Sequence, residues 1–371
     1  MSDTLRPFYN PGPGDVIRDA MDEIGWQQSD LSEITGLTEK SINKIINNKQ
    51  GITPETAVLL GKAFSTPAEM WLNLDAKYQL RKREADKSGK ESLAEKKAQM
   101  RRYMPVAELK KKGWLLYDVS TEKGIKQEYK RLFGQEEIPT EKYNQEKQFA
   151  ARQTKFDFQY TPWYCCTWFE YAKLNAAAVT VKHAYNKEKL SELADTLYSY
   201  TTSKNGIAEA LAELNECGVG FFVLSHLSKT YLDGAAFLHD ATPFIIYTAR
   251  YDRIDNFWFV LAHEISHVLL HFDYLTAPIL DDLDSDAETK REKQADDSAS
   301  KILHSKEVIA LGEQYGKYLS ADRLEQISKK SGVSIPVALG ILQHAGIIEW
   351  RQFSKYREKV LEQIPENAVK G

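Results

Sequence analysis

His263-Glu264-Ile265-Ser266-His267 decides how this chain is read. Four residues make just over one helical turn, so imidazoles at i and i+4 face a common point. Glu264 stands one residue further round, about 100° off that axis, and can reach a water at the same point without being a ligand. On a helix the stretch therefore offers a divalent metal, zinc above all, two ligands and a base. Around it Trp258, Leu261, Ala262, Ile265, Val268 and Leu269 recur at three and four residues, which predicts a helix packed into a core. Two buried imidazoles beside a carboxylate need a partner, and a metal supplies it best.

A hydrolytic zinc site keeps three protein ligands and one open position. Downstream, Glu292 to Asp296 begins a second helical pattern, with Ala295, Ala299, Ile302 and Leu303 as its apolar stripe and Ser285 to Glu288 as a capping box. Glu292 and Asp296 share one face of it. The physical division of labour puts Glu292 on the metal and lets Asp296 accept the spare ring N–H of one histidine, fixing its tautomer. Competing third ligands are His271, which continues the same row further along the helix, and Asp281, Asp282, Asp284 and Asp286 in the connecting segment.

The amino-terminal end carries a different signature. From Gln27 to Lys49 two short helical patterns are broken at Gly36, the spacing of a helix-turn-helix. Leu31 and Ile34 are expected on the inner face of the first helix, Leu37 in the core, Thr38 at the cap of the second, and Ile42, Ile45 and Ile46 facing inward. The outward side then carries Glu39, Lys40, Ser41, Asn43 and Lys44, short polar and basic groups of the kind that reach base edges and phosphates in a major groove. Residues 1–80 hold seven Lys/Arg against eleven Asp/Glu, so any DNA affinity is local rather than a general basic footprint. Residues 81–112 reverse that balance, with twelve Lys/Arg against five Asp/Glu, and read as an exposed helical connector.

Between residues 113 and 205 the pattern is mostly helical, with one aromatic cluster from Phe156 to Tyr171. Past Gly206, a helix from Ala208 to Glu216 precedes three strands, Val219 to Leu224, Ala235 to Leu238 and Phe244 to Thr248, a small sheet that feeds the histidine helix. One strand edge could align an extended peptide. His226, His239, Tyr247 and Arg250 are the candidates for stabilising an oxyanion, each also readable as a structural or exposed residue. Three further helical pieces, Ala321 to Lys330, Ser334 to His344 and Ile347 to Tyr356, close the chain.

Two resemblances join these readings. The run from Ile246 through Ala299, with Arg250 to Phe259 before the histidines and Glu292-x-x-Ala295-Asp296-x-x-Ala299 after them, resembles the ImmA/IrrE family of metallo-endopeptidases, which are gluzincin-like regulatory proteases. The resemblance implies His263, His267 and Glu292 as metal ligands and Glu264 as general base. The chain departs from that family's pattern at Ser266, where glycine is frequent, and at Ser298, where phenylalanine is. Residues 12–80, through Pro13 to Ile17, Ile52 to Ala57, Phe64 and Trp71 to Leu74, resemble the HigA type of Xre-family antitoxin. That likeness implies that Gln28, Lys40, Ser41 and Lys44 face DNA, with Asn43 beside them, while Glu39 is an unusual neighbour for phosphate.

The expectation is an α+β chain, mostly α. It comprises a helix-turn-helix DNA-binding domain at 8–80, a charged helical linker at 81–112 and a helical subdomain at 113–205. A zinc peptidase core at 206–310 and a helical carboxy-terminal subdomain at 311–371, packed on the peptidase, complete it. Zinc is the expected cofactor. Operator DNA and a protein substrate or cognate toxin are the expected partners, with a homodimer reading paired half-sites. The alternative is a non-proteolytic antitoxin or repressor whose peptidase-like half binds a toxin or senses a signal. No apolar run approaches a membrane span and the polar start lacks a signal-peptide pattern, so the cytoplasm is expected. Cys165, Cys166 and Cys217 form no C-x-x-C and read as reduced thiols.

Overall fold

The computed structural model describes residues 11–86, 93–141, 161–275 and 285–370. It divides into two compact units, Met1–Ser92 and Leu93–Gly371.

The first unit is five helices, α1 (Pro13–Ile24), α2 (Gln28–Thr35), α3 (Glu39–Ile46), α4 (Pro54–Ala63) and α5 (Ala68–Asp86). Local chemistry sets their ends. Proline opens α1 and α4, the Thr38 and Thr53 hydroxyls accept the Ser41 and Thr56 amides at 3.2 Å, and Gly36 closes α2 at φ 71°. Ile17, Leu31, Ile42, Ile45, Leu60 and Trp71 fill the core. Ile34 does not join them. In an eight-residue helix Leu31 and Thr35, one turn apart, take the buried stripe, and Ile34 falls outside it at 49% exposure.

The second unit starts with α6 (Leu93–Tyr103), α7 (Val106–Lys111), α8 (Glu122–Phe133), α9 (Thr161–Ala176), α10 (Lys187–Tyr200) and α11 (Gly206–Glu216). Strands β1 (Gly220–Val223), β2 (Gly234–His239) and β3 (Thr242–Tyr247) follow, then α12 (Ile254–Leu270), α13 (Ser285–Ile302), α14 (Ser305–Glu313), α15 (Ala321–Ser331) and α16 (Ile335–His344). The chain is thus mostly helical with one small sheet.

Strand order is β1-β3-β2, with β1 parallel and β2 antiparallel to β3. The β2–β3 turn is Asp240-Ala241, both at positive φ, as a two-residue hairpin loop demands. Alternation along the strands buries both faces. Val223, Ala236, Ile245 and Tyr247 pack with α10, α11 and α12, whereas Phe222, Phe237, Phe244 and Ile246 pack with Trp163, Trp168, Phe169 and Tyr171. The aromatic cluster is therefore core, apart from Phe156 to Tyr160, which lie outside the described residues.

Met100, Tyr103, Met104, Val106 and Leu109 enter that same aromatic core. The second half of the charged run 81–112 is thus packed rather than an exposed connector: its charges ride on the outer sides of α6 and α7. Residues 347–356 also depart from expectation. They form turns and a single 3-10 turn at Ser354–Tyr356 instead of a helix, since Gly346 at φ 71° ends the pattern and Phe353 adopts φ 54°. No described helix is long and apolar enough to cross a membrane.

Candidate metal centre and DNA-reading face

Helix α12 is built from its apolar stripe. Phe257, Trp258, Leu261, Ala262, Ile265 and Val268 are all at most 2% exposed and fix its rotation against the sheet. With those positions inward, His263 and His267 emerge one turn apart, their Nε2 atoms 3.0 Å from each other. Helix α13 packs along α12 and brings Glu292 to both, Oε2 to His263 Nε2 and Oε1 to His267 Nε2, each at 3.3 Å. Asp296, one turn on, accepts the His263 Nδ1–H at 2.9 Å, which leaves the Nε2 lone pair facing inward.

The arrangement passes a fit test for zinc. Ligand atoms about 2.0–2.1 Å from a tetrahedral ion are separated by about 3.3 Å, close to the three separations found here. These three residues are also the group of candidate donors that converges among the described residues. His271 is not in that group. Asp281, Asp282 and Asp284 lie outside the described residues, as do the side chains of Ser285, Asp286 and Glu288.

Electrostatics point the same way. Burial works against a charged His263, but the hydrogen bond to Glu292 and the carboxylates of Glu264, Glu292 and Asp296 hold its pKa up at about 9. Burial pushes the Glu292 carboxyl up, yet its hydrogen bonds to His263 and His267 keep it well below the usual range. The pocket is set for positive charge.

Glu264 is fully enclosed, and burial raises its pKa against the opposing pull of His263 and His267. Its Oε2 has no hydrogen-bond partner among the described residues. A buried carboxylate oxygen left over beside three metal donors is what a base waiting for a water requires. The side chain faces a cleft of about 920 Å³ that also holds His263, His267, Glu292 and Asp296.

Gly234, at the start of β2, sets the room for that base. A Cβ there would lie 2.5 Å from Val260 Cγ1, 2.8 Å from Glu264 Oε1 and 3.2 Å from the Ile246 carbonyl oxygen. Gly234→Ala is therefore expected to cost about 1–3 kcal/mol, read as a lower urea midpoint, because backbone and base must both move. An unchanged midpoint would show that the strand edge yields without cost. Neither spacing nor periodicity singles this glycine out.

The chain's two departures from the family pattern meet each other. Ser266 donates to the Ala262 carbonyl at 2.8 Å, and its oxygen lies 2.9 Å from the Ser298 hydroxyl, tying α12 to α13. The oxyanion candidates are not in the cleft: His226, His239, Tyr247 and Arg250 are absent from its lining. Tyr247 points into the core and donates to the Tyr251 carbonyl at 2.7 Å, while Arg250 donates to the Tyr231 carbonyl at 2.9 Å and lies 3.3 Å from Asp233. The polar groups that do line the cleft include Tyr231, Asn256 and His344.

In the first unit Lys40 and Lys44 stand exposed one turn apart on α3, with Asn43 between them. Asn43 Nδ2 donates to Gln28 Oε1 at 3.3 Å, linking α2 and α3 through two of the residues expected at DNA. Ser41 is half-buried and its hydroxyl accepts from Thr38, so it is engaged at the helix cap. Glu39 occupies the first turn, where a carboxylate suits the helix dipole.

Comparison with known proteins agrees with this division. Residues 17–71 match the helix-turn-helix family model, and residues 220–339 match the IrrE N-terminal-like domain, a peptidase family. An uncharacterized HTH-type transcriptional regulator of Haemophilus influenzae is 33% identical over 91 residues, 24% of this chain and 85% of that protein. The uncharacterized HTH-type transcriptional regulator YddM of Escherichia coli is 27% identical over 76 residues, 20% of this chain and 81% of its own length. Virulence-associated protein A' of Dichelobacter nodosus is 37% identical over 71 residues, 19% of this chain and 62% of that protein.

Proposed function

Because this chain belongs to the family of HTH-type transcriptional regulators and carries an IrrE N-terminal-like domain besides, we propose that it is an operator-binding repressor that is also a zinc-dependent endopeptidase. One observation carries the enzymatic half: buried Glu264, whose Oε2 has no hydrogen-bond partner among the described residues, lines the cleft into which His263, His267 and Glu292 converge.

A zinc ion held by those three side chains would supply Lewis acidity toward a carbonyl and lower the pKa of a nearby water. Glu264 takes the proton of the attacking water and hands it to the leaving amine. Asp296 holds His263 in the tautomer and orientation that keep its Nε2 available. Burial of Glu264 excludes bulk solvent from the proton transfer. The Gly234 end of β2, an edge strand whose far end bonds through the Leu238 amide to the Leu275 carbonyl at 2.9 Å, opens onto the cleft and supports an extended peptide pairing alongside the base.

In the regulatory half, α3 reads the major groove through Lys40, Asn43 and Lys44, with Gln28 bracing Asn43 from α2, and two copies bind a two-fold operator. The resemblance to HigA-type antitoxins supports an operon that encodes a toxin or other effector, bound or cleaved by this protein. Lys40→Ala and Lys44→Ala should each weaken binding of a DNA fragment from upstream of the gene and lower the salt slope by about 1. Unaltered affinity and slope in both variants would move the DNA contact off α3. Co-expression of the neighbouring gene products tests the other half: one should be shortened by the wild-type chain and left intact by Glu264→Gln. If none is cut under any condition that loads zinc, the protein is a repressor with a metal-binding module.

A further inference from the structure

Helix α16 carries two stripes. Val337, Ala338, Leu339 and Leu342 are at most 2% exposed and join the core. Val337, Gly340, Ile341, His344 and Ala345, at i, i+3, i+4, i+7 and i+8, line the cleft that holds Glu264 and the histidines. Four of these five lie beyond residue 339, where the IrrE-like match ends.

Its surroundings hold it rigid. The His344 ring meets Trp350 edge-on at 4.9 Å, the Arg253 guanidinium lies 4.9 Å from the Trp350 ring, and Arg253 is forked onto Asp255. Gly340 lets α16 come so close to α12 that a Cβ would sit 2.5 Å from Asp255 Oδ2. Among the described lining residues there is no lysine or arginine; Asp233 and Asp255 are paired with Arg250 and Arg253 from outside the cleft, and Glu264, Glu292 and Asp296 belong to the metal centre.

We propose that the cleft face of α16, centred on Ile341, is the specificity subsite: it takes a large aliphatic or aromatic side chain of an extended peptide and rejects an acidic one. The subsite rests on the peptidase reading above. A side chain seated there exchanges water for Ile341 and Ala345, whereas a carboxylate would give up its hydration against that apolar face with no lysine or arginine among the described lining residues to receive it.

The test uses the zinc-loaded full chain and isothermal titration with four succinyl hydroxamates that share one chelating group and differ in one substituent: hydrogen, isobutyl, benzyl or carboxymethyl. Isobutyl and benzyl are expected to bind at least about tenfold tighter than hydrogen, and carboxymethyl weaker than hydrogen. Ile341→Ala, and independently Ala345→Asp on the exposed end of the helix, should shrink the isobutyl-to-hydrogen affinity ratio at least about fivefold. Equal binding of all four compounds, or a ratio that neither variant alters, overturns the subsite and leaves the zinc site standing. Failure of every hydroxamate to bind overturns both.

Discussion

Glu264→Gln protein should retain one zinc per chain and lose peptide-bond hydrolysis by about 10²- to 10⁴-fold, the range that a positioned base contributes. The substitution keeps the shape of the side chain and removes only its capacity to take a proton. Glu264 is 4% exposed and its Oε2 has no hydrogen-bond partner among the described residues, so no neighbouring side chain among them already holds that position. The same burial gives an internal control. A carboxylate enclosed without a full set of partners is costly to keep ionised, so the neutral amide should not lower the melting temperature. Loss of activity with an undiminished melting temperature and full metal content assigns the base. Residual turnover within a factor of a few of wild type would mean that the proton leaves by another route.

Glu292→Ala should have the largest effect on metal content. Its carboxylate bridges the two imidazoles at 3.3 Å on each side and is the sole acidic member of the donor group. Removal leaves two neutral donors on one helix and takes away the charge that balances a divalent ion. Zinc affinity should fall by more than the roughly 10- to 100-fold that loss of an outer hydrogen-bond partner costs. Asp296→Ala should fall within that smaller range, because the His263 ligand stays and only its orientation is relaxed. Competition with a chromophoric chelator measures both. The order of the two variants is the informative part: if Asp296→Ala is the more damaging, the roles of the two carboxylates are exchanged.

Much of this site was legible because helical geometry is regular. The i, i+4 spacing of His263 and His267 and the shared face of Glu292 and Asp296 put four groups where the structure has them, once two helices pack side by side. The helix-turn-helix was legible for a similar reason, through Thr38 as a cap and Gly36 as a stop. What stayed hidden depends on tertiary approach. Gly234 matters only because β2 runs past Glu264, and Val337 to Ala345 become a cleft wall only when α16 packs on α12. A second stripe beside the core stripe of α16 was there to be found, but two small residues and an exposed histidine carry no clear hydrophobic signal. Of the two roles open to Tyr247 and Arg250, oxyanion donor or structural residue, the structure has the second, each donating to a nearby backbone carbonyl.

The small sheet has a practical consequence for anyone dissecting the chain. Phe222, Phe237, Phe244 and Ile246 rest on a layer supplied by α6 to α9, all upstream of residue 220. A fragment trimmed to the boundaries of the IrrE-like match would expose those four side chains to water and invite aggregation. The shortest piece able to stand alone and carry the metal donors must begin near Leu93.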